Sequence, residues 1–205
     1  MNGLLFITHC TDRYTYLQSA EIALKGGCKN IQLRMKDSPV AEVEQTAIKT
    51  KELCDAYGAQ LYIDDHVQVC LNVKATGVHL GKLDMPPAEA RKILGNNFVI
   101  GGTANTFEDI RHLVSQGVDY IGLGPFRFTT TKKNLSPVLG LSGYQEIIAQ
   151  CRLHSIDIPI LAIGGITLND IPVLMRTGIA GIALSSTILQ ADDPIMETNR
   201  ILTFI

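Results

Sequence analysis

Residues Asp119 to Gly140 read D-Y-I-G-L-G-P-F-R-F-T-T-T-K-K-N-L-S-P-V-L-G, and the rest of the chain is organised around this stretch. It begins as a short apolar strand with alternating glycines, turns at Pro125, and continues into three threonines and two lysines. Hydroxyl and ammonium groups beside a strand end supply hydrogen-bond donors and positive charge together, as a phosphate ester requires. Taken alone, the same residues also fit a solvated loop, so the other strand ends must be compared with this one.

Apolar runs of the same kind recur along the chain and predict buried parallel strands with helical patterns between them. The predicted strands are Leu4 to Thr8, Asn30 to Arg34, Gln60 to Asp64, Gly77 to Leu80, Phe98 to Gly102, Tyr120 to Gly124, Pro159 to Gly164 and Gly181 to Ser185. Eight strand and helix units in roughly 200 residues predict an α/β fold of the (β/α)8 TIM barrel type, with residues 1–205 as one domain. A doubly wound open sheet is the alternative, although no G-x-G-x-x-G motif follows the first strand.

Helix patterns and helix boundaries support this alternation. One predicted helix carries an apolar stripe, and a second carries a shorter one; the stripe residues are Val43, Ala47, Thr50, Cys54 and Tyr57, then Tyr144, Ile147, Ile148 and Cys151. Ser38 before Pro39 predicts a helix start, and Thr106 with Asp109 has the spacing of a capping box. Five glycines predict helix ends, because glycine readily adopts the left-handed conformation: Gly26, Gly58, Gly95, Gly117 and Gly178.

Composition limits the classes of function. The 205 residues are 46% hydrophobic and 19% charged with a net charge of −2, which fits one domain with a large core and gives no basic surface for nucleic acid. No apolar run is long enough for a signal peptide or a membrane span, so we expect a soluble, cytoplasmic protein. The five scattered cysteines include no C-x-x-C pair and predict buried thiols instead of disulfides or a zinc site. The oligomeric state stays open, a homo-oligomer included.

A barrel places its functional side chains just after the strands, at the C-terminal mouth. After the second strand, alternation sends Gln32, Arg34 and Lys36 to the same side. Two cations at this spacing could hold a diphosphate. An ordinary salt-bridged arginine and an exposed lysine are the alternative.

Carboxylates follow the third and fourth predicted strands. Asp64 and Asp65 are adjacent, so their charges repel unless a cation relieves them. Asp65 together with Asp84 could therefore hold Mg²⁺, with water and phosphate oxygens as the remaining ligands. Alternatively, one of the adjacent aspartates caps the following helix, and Asp84 belongs to a turn before Met85.

The remaining strand ends carry hydroxyl groups and glycines. Thr103 follows two glycines, while His79 lies within an apolar strand and is expected to be a packed, hydrogen-bonded core residue. The run Ala162 to Ile166 brings two glycines to one strand end, and Ser185 with Ser186 follows the last strand. Phosphate groups are commonly bound by these two loops in barrels. The residues thus predict one cationic anion site with a metal and a second site built from backbone and hydroxyl groups, although glycines that only let a strand turn are an alternative for the second.

Several stretches, in this order and over nearly the whole chain, resemble the thiamine phosphate synthase (thiamine phosphate pyrophosphorylase) family and its relative, the thiazole tautomerase. They are Q-L-R-x-K at Gln32 to Lys36, Asp65, G-V-H-L-G with Asp84, D-Y-I-G-L-G-P with T-x-T-K at Thr129, Thr131 and Lys132, A-I-G-G-I, and G-I-A-L-S-S. The resemblance implies a transferase that joins 4-amino-5-hydroxymethyl-2-methylpyrimidine diphosphate to 4-methyl-5-(2-phosphoethyl)thiazole. Thiamine phosphate and pyrophosphate are the implied products.

The resemblance also implies a role for each matching residue. Asp65 and Asp84 would bind Mg²⁺, and Gln32 would contact the pyrimidine. The implied diphosphate contacts are Arg34, Lys36, Thr103 and Lys132, and the implied contacts of the thiazole phosphate are Thr129, Thr131, Gly165, Ser185 and Ser186.

The sequence departs from the family pattern at the diphosphate side. Asp64 stands where the family usually has Asn, so an added carboxylate adjoins the substrate position unless it is paired or joins the metal. Thr103 replaces the usual Ser, Lys82 stands where Gln is common, and Phe126 to Phe128 differs from the usual run. Two other functions remain as alternatives: an isomerase like the thiazole tautomerase, and a non-catalytic barrel that binds phosphate ligands.

Overall fold

The computed structural model of the chain describes residues 1–128 and 136–205. Its eight strands are parallel and close into one barrel in chain order, with the last strand hydrogen-bonded to the first. The strands are β1 (Gly3–Ile7), β2 (Asn30–Leu33), β3 (Gln60–Asp64), β4 (Gly77–Leu80), β5 (Val99–Ala104), β6 (Tyr120–Leu123), β7 (Ile160–Ile163) and β8 (Gly181–Leu184). The predicted (β/α)8 barrel is confirmed, and the open sheet is excluded.

Helices connect the strands and surround the barrel. In the described part of the chain they are α1 (Tyr16–Lys25), α2 (Val40–Ala56), α3 (Val67–Asn72), α4 (Pro87–Leu94), α5 (Phe107–Ser115), α6 (Gly140–Leu153), α7 (Ile171–Met175), α8 (Ser186–Leu189) and α9 (Pro194–Leu202). A short 3₁₀ turn, Leu168–Asp170, precedes α7. Of these helices, none is long and apolar enough to cross a membrane.

The predicted helix boundaries are partly correct. Thr106 and Asp109 form the expected capping box at the start of α5. The start predicted at Ser38 is wrong, because Pro39 is the residue before α2 and no side chain caps this helix. Gly26 ends α1 with right-handed geometry at φ −76°, and its neighbour Gly27 takes the left-handed conformation instead, at φ 96°.

Strand alternation creates two cores. One lies between the barrel and the helices and includes the buried apolar stripe residues of α2 and α6, and half-buried Tyr57 packs against it. The other lies inside the barrel and contains Leu5, Ile7, Tyr62, Tyr120, Leu161 and Ala183. The rings of the two inner tyrosines meet edge to face with their centres 6.0 Å apart. These side chains fill the barrel interior below the mouth.

The cysteine prediction is confirmed for four of the five thiols. Cys28, Cys54, Cys70 and Cys151 are free and buried, whereas Cys10 is free and exposed. Burial raises the pKa of the Cys28 thiol to about 11, so this thiol remains protonated and packs as a small apolar group.

Candidate active site

Gln32, Asp64 and Arg34 are linked across the ends of β2 and β3. The Gln32 Nε2 atom donates to Asp64 Oδ1 at 2.6 Å, and Arg34 Nε lies 3.5 Å from Asp64 Oδ2. The backbone amide of Arg34 donates to Thr8 Oγ1 at 3.0 Å, which fixes the point where the chain leaves β2. The three predicted residues therefore lie together at the mouth, as the alternation of β2 requires.

Asp64 is the buried member of this group. Burial and then the neighbouring charge of Asp65 raise its pKa to about 7, although Arg34, Lys36 and Gln32 act in the opposite direction. The carboxylate that would repel a diphosphate is thus both paired with Arg34 and easily protonated. Asp64 thus contacts both Gln32 and Arg34, and its buried Oδ2 atom has no hydrogen-bond partner among the described residues.

Lys36, Asp65 and Asp84 form a second cluster next to the first. The Lys36 ammonium lies 3.0 Å from Asp65 Oδ2, and the Asp84 Oδ2 atom accepts the Gly81 amide at 2.6 Å. Asp84 therefore closes a turn, as its structural alternative predicts. Neither Asp64 nor Asp65 caps α3, whose preceding residue is His66 and which has no side-chain cap.

Asp65 has an unusual backbone for a residue with a side chain. Its φ is +64°, in the left-handed region, and its amide donates to the His79 carbonyl at 2.9 Å. Aspartate and asparagine tolerate this region better than most residues. The conformation turns the Asp65 carboxyl group out of the strand path and brings it to Lys36 and Asp84.

The carboxyl groups of Asp65 and Asp84 are hydrogen-bonded to each other. Burial and this hydrogen bond raise the pKa of Asp65. Burial opposes ionisation of Asp84 as well, but the hydrogen bonds from Asp65 and from the Gly81 amide outweigh it and lower the Asp84 pKa. Two carboxyl groups this close share a proton or a cation.

This pair fits a magnesium ion by its donor chemistry. Two carboxylates held together on neighbouring loops are the hard oxygen ligands that Mg²⁺ uses when substrate phosphates and water complete its coordination. Across residues 1–128 and 136–205, no three His, Cys, Asp or Glu side chains form a metal cage of their own.

A pocket opens beside these clusters at the C-terminal ends of the strands. Its lining residues come from seven of the eight strand ends and include Arg34, Thr103, Gly165, Ser185 and Ser186. An adjoining groove is lined by Asp84, Lys82 and again by Thr103. Thr103 is therefore the residue that the pocket and the metal side of the mouth have in common. Lys82 pairs with Asp109 at 2.6 Å instead of pointing alone into the groove.

The part of the pocket formed by the loops after β7 and β8 suits an anion. Ser185 Oγ is buried and has no hydrogen-bond partner among the described residues. Gly164 and Gly165 both take positive φ, 93° and 65°, and lie against Pro125 and Arg127. A buried hydroxyl without a partner costs free energy unless a ligand satisfies it.

Three predicted site residues cannot be placed. Thr129, Thr131 and Lys132 lie outside the described residues.

The pocket also contains residues that the sequence reasoning missed. His9 lines it, and burial and the charge of Arg34 lower the pKa of this histidine, which favours the neutral ring near neutral pH. Asn105 donates to the Gly124 carbonyl and accepts from Ser136 Oγ at 2.9 Å. The position of Asn105 immediately after β5 was the available signal, because the other polar residues of the site also follow strands.

An ion pair holds the segment after β6 against the segment after β7. The Arg127 guanidinium makes two hydrogen bonds to the Asp170 carboxylate, and the Arg127 amide donates to the Gly164 carbonyl at 2.9 Å. Thr167 donates to Asp170 from both its amide and its hydroxyl group, at 2.8 and 2.6 Å. Arg127, part of the run that departs from the family pattern, thus supports the two-glycine turn.

Comparison with known proteins identifies relatives over nearly the whole chain. The family model described as thiamine monophosphate synthase matches residues 4–188. A protein of Phocaeicola vulgatus named thiamine-phosphate synthase is 63% identical over 97% of this chain and 96% of its own length. Its counterpart of the same name in Bacteroides thetaiotaomicron is 58% identical over 98% of this chain and 97% of its own length.

A solved structure agrees with these relatives. Thiamine phosphate pyrophosphorylase from Pyrococcus furiosus has a TM-score of 0.85 and 33% sequence identity, and the match covers 98% of this chain and 94% of that one. Sequence and structure therefore point to one family.

Proposed function

Because the chain belongs to the thiamine monophosphate synthase family, we propose that its barrel mouth joins the pyrimidine diphosphate and the thiazole phosphate to form thiamine phosphate and pyrophosphate. Membership makes the chain a transferase of thiamine biosynthesis. The observation that carries the assignment of the chemistry to this mouth is the hydrogen-bonded pair of Asp65 and Asp84, with Lys36 3.0 Å from Asp65. Carboxylates and cations in contact can bind a metal diphosphate as one unit.

The diphosphate would lie between the two clusters. Arg34 and Lys36, each paired with an aspartate, would provide positive charge on one side of the diphosphate. Thr103 would provide a hydroxyl group on the other side of the diphosphate. The nearby carboxylates raise the pKa of Lys36 against the opposing effect of burial, so its ammonium group stays charged. Gln32, fixed by Asp64, faces the pyrimidine, and Lys132 completes the proposed diphosphate contacts.

The reaction breaks the bond between the pyrimidine methylene carbon and the diphosphate oxygen, and the leaving group keeps the electron pair. The electron-rich pyrimidine stabilises the positive charge on the methylene carbon, and the thiazole nitrogen then forms the new bond. Arg34, Lys36 and Thr103 stabilise the charge that grows on the leaving oxygen. When bound at Asp65 and Asp84, Mg²⁺ would add to this stabilisation as a Lewis acid. The protein otherwise contributes by holding the two rings in line.

The thiazole phosphate would occupy the part of the pocket after β7 and β8. Ser185 Oγ gains there the partner that it lacks among the described residues, and Ser186 and Gly165 line the same space. We also assign Thr129 and Thr131 to this phosphate on the basis of the family motif. Glycine at position 165 is needed for a close approach because its φ is +65° and its Cα faces Arg127.

The thiazole tautomerase alternative is distinguished by the diphosphate side. An isomerase that acts on one thiazole phosphate has no use for the carboxylate pair or for the two cations paired with aspartates. A barrel that only binds phosphate would not need the pair either. The joint presence of these groups favours the synthase.

The direct test supplies both substrates with Mg²⁺ to the purified chain. We expect equal amounts of pyrophosphate and thiamine phosphate to form, and we expect removal of divalent ions with a chelator to stop both. Pyrophosphate is measured by a coupled enzyme assay, and thiamine phosphate by chromatography after oxidation to a fluorescent product. Conversion of the thiazole phosphate tautomer without pyrophosphate release would instead establish the isomerase, and thiazole phosphate binding without either reaction would establish the binding barrel.

A second prediction concerns the Arg127 and Asp170 ion pair. Replacing Arg127 with Ala removes two hydrogen bonds from Asp170 and is expected to lower the free energy of unfolding by about 1 kcal/mol, because the pair is partly exposed. The turn at Gly164 loses support, so the KM for thiazole phosphate is expected to rise about fivefold, a change of about 1 kcal/mol. Denaturant unfolding and steady-state kinetics measure the two effects.

Arg91→Ala is the matched control for this prediction. Arg91 also pairs with an aspartate, Asp119, at 2.6 Å, and it donates to the carbonyls of Gly95 and Phe98 before β5, at the opposite end of the barrel. Its loss should reduce stability without changing the KM for either substrate. Equal KM values for Arg127→Ala and the unchanged chain would refute the proposed support of the phosphate site.

The wider assignments complete the proposal. The free thiols fit a reducing compartment, so the proposed location is the cytoplasm. The proposed partners are the two small-molecule substrates, without nucleic acid or a membrane. Residues 1–205 are proposed to act as one domain, and a homo-oligomer remains compatible with this function.

A further inference from the structure

His79 lies between Tyr120 and Thr103 inside the barrel, just below the mouth. Its Nδ1 atom is 3.1 Å from the Tyr120 hydroxyl oxygen, and its Nε2 atom is 2.9 Å from Thr103 Oγ1. Tyr120 is fully buried, His79 is 8% exposed, and Thr103 lines the pocket. The three side chains therefore form a continuous hydrogen-bonded chain from the barrel core to the ligand pocket.

Two glycines provide the space for this chain. A Cβ atom on Gly101 would lie 2.2 Å from the Tyr120 ring, and a Cβ atom on Gly122 would lie 3.1 Å from His79 Cε1. Both distances are shorter than ordinary carbon contacts. The inner faces of β5 and β6 are thus shaped to hold the tyrosine and histidine rings in one arrangement.

The direction of the hydrogen bonds follows from the Tyr120 hydroxyl. Burial raises the pKa of Tyr120 far above its ordinary value, so this hydroxyl keeps its proton. Its one hydrogen-bond partner among the described residues is His79 Nδ1, and a buried hydroxyl hydrogen without an acceptor is costly. Tyr120 must therefore donate to Nδ1, which requires a neutral ring with its hydrogen on Nε2.

The same direction continues to Thr103. In this tautomer His79 Nε2, 2.9 Å from Thr103 Oγ1, donates its hydrogen to the threonine oxygen, so the threonine hydroxyl acts as acceptor towards His79. Its own hydrogen is then directed away from the histidine, and the surface that it reaches is the pocket and the groove shared with Asp84. A hydroxyl group in this orientation is a donor for an anion.

We propose that Tyr120 and His79 are positioning residues that fix the Thr103 hydroxyl as a hydrogen-bond donor to the bound diphosphate. This inference rests on the proposed function for the identity of the anion. The opposite tautomer of His79 would accept the Thr103 hydrogen and turn the threonine lone pairs towards the diphosphate, where they would repel it. Tyr120 excludes that tautomer through its hydrogen bond to His79, although Tyr120 itself does not line the ligand pocket.

The variant Tyr120→Phe tests the direction of the hydrogen bonds from Tyr120 through His79 to Thr103. The ring packing is kept, but His79 can then place its hydrogen on Nδ1 and accept from Thr103. We expect the KM for the pyrimidine diphosphate to rise about tenfold, the effect of losing one hydrogen bond to a charged group. The KM for thiazole phosphate is expected to stay the same. A rise in both KM values, or in neither, would overturn the proposal.

Tyr62→Phe is the matched control. Tyr62 is also a buried tyrosine inside the barrel, it contacts the Tyr120 ring, and its hydroxyl donates to Gln60 at the other end of β3, at 2.7 Å. The same atom is removed from the same core, but His79 is unaffected. A similar rise in the diphosphate KM for this variant would attribute the effect to general loosening of the core and would overturn the proposal.

A double-mutant cycle with Thr103→Val separates positioning from packing. If Tyr120 acts through the threonine hydroxyl, Tyr120→Phe should raise the diphosphate KM in the unchanged chain and should cause no further rise when the hydroxyl is already absent. If the two substitutions raised the diphosphate KM independently and additively, the proposal would be overturned.

Nitrogen NMR of the unchanged chain gives a test that does not need activity or a variant. With histidine ring nitrogens labelled, His79 should show a protonated Nε2 and an unprotonated Nδ1, and Tyr120→Phe should alter this pattern. A protonated Nδ1 of His79 in the protein without substitutions would overturn the proposal. If the chain formed no thiamine phosphate, the proposed function would fail, and titration of inorganic pyrophosphate with Mg²⁺ into the Tyr120→Phe variant would still decide whether the relay controls anion affinity.

Discussion

Asp65→Asn is expected to lower the rate of thiamine phosphate formation by a factor of about 100 to 1000, as found when a main electrostatic contact of a transition state is removed. Asparagine is the right replacement because it tolerates the φ of +64° at this position, so the backbone can stay in place. The change removes the negative charge that lies 3.0 Å from Lys36 and that is hydrogen-bonded to Asp84. Loss of this charge weakens the proposed magnesium site and leaves Lys36 without its partner.

The measurements separate chemistry from folding and from the second substrate. Pyrophosphate release is followed at saturating substrates and Mg²⁺, and thiazole phosphate binding is followed by calorimetry. Binding should be unchanged, because the Ser185 region lies on the other side of the mouth. Asp55→Asn is the control, since this carboxylate is exposed on α2, where it pairs with Lys51. A rate for Asp65→Asn close to that of the control would remove Asp65 from the proposed metal site.

Gly165→Ala is expected to raise the KM for thiazole phosphate by a factor of about 10 to 100, because the turn must move to accept a side chain that costs about 1 to 2 kcal/mol at positive φ. The added Cβ atom would lie 2.8 Å from the Cβ atom of Arg127 and 2.8 Å from the Phe128 carbonyl oxygen. The Phe128 carbonyl belongs to the backbone and cannot rotate away as a flexible side chain could. The displaced turn would no longer line the anion pocket beside Ser185.

Gly58→Ala is the matched control for this effect. Gly58 has φ of +58°, close to the 65° of Gly165, but no atom lies within 4 Å of a Cβ built there. In denaturant unfolding, Gly58→Ala should lose about 1 to 2 kcal/mol of stability from its positive φ alone, and Gly165→Ala should lose more, because its Cβ atom also clashes with the neighbouring backbone. Only Gly165→Ala should change the thiazole phosphate KM, and the KM for the pyrimidine diphosphate should stay the same in both. A normal thiazole phosphate KM for Gly165→Ala would move the phosphate away from this turn.

The sequence predicted the barrel well because the barrel depends on local signals. Apolar runs bounded by turn residues located β3 and β4 to the residue and the other strands within one or two residues at each end. Alternation correctly placed Gln32 and Arg34 at the mouth, since a strand sends every second side chain to the same side. Ser38 failed as a helix start because a proline in extended conformation lies between it and α2.

Side-chain contacts between different strands could not be predicted from the sequence. The bonds from His79 to Tyr120 and Thr103 depend on the register of β4, β5 and β6, and His79 alone predicted only a packed core residue. The pairing of Asp64 with both Gln32 and Arg34 was not predictable for the same reason. Two adjacent aspartates in a sequence do not show which side chains from other strands each of them will contact. Arg127 and Asp170 are 43 positions apart, and only the closed barrel brings them together.

The two tyrosines inside the barrel, Tyr62 and Tyr120, bear on the route by which substrates and products reach the active site. Because the rings of Tyr62 and Tyr120 pack edge to face in the barrel interior below the mouth, we expect both substrates to enter, and both products to leave, at the mouth. If one substrate binds deeper in the mouth than the other, we expect the deeper substrate to bind first and its product to leave last. Product-inhibition kinetics measure whether pyrophosphate and thiamine phosphate leave in a fixed order.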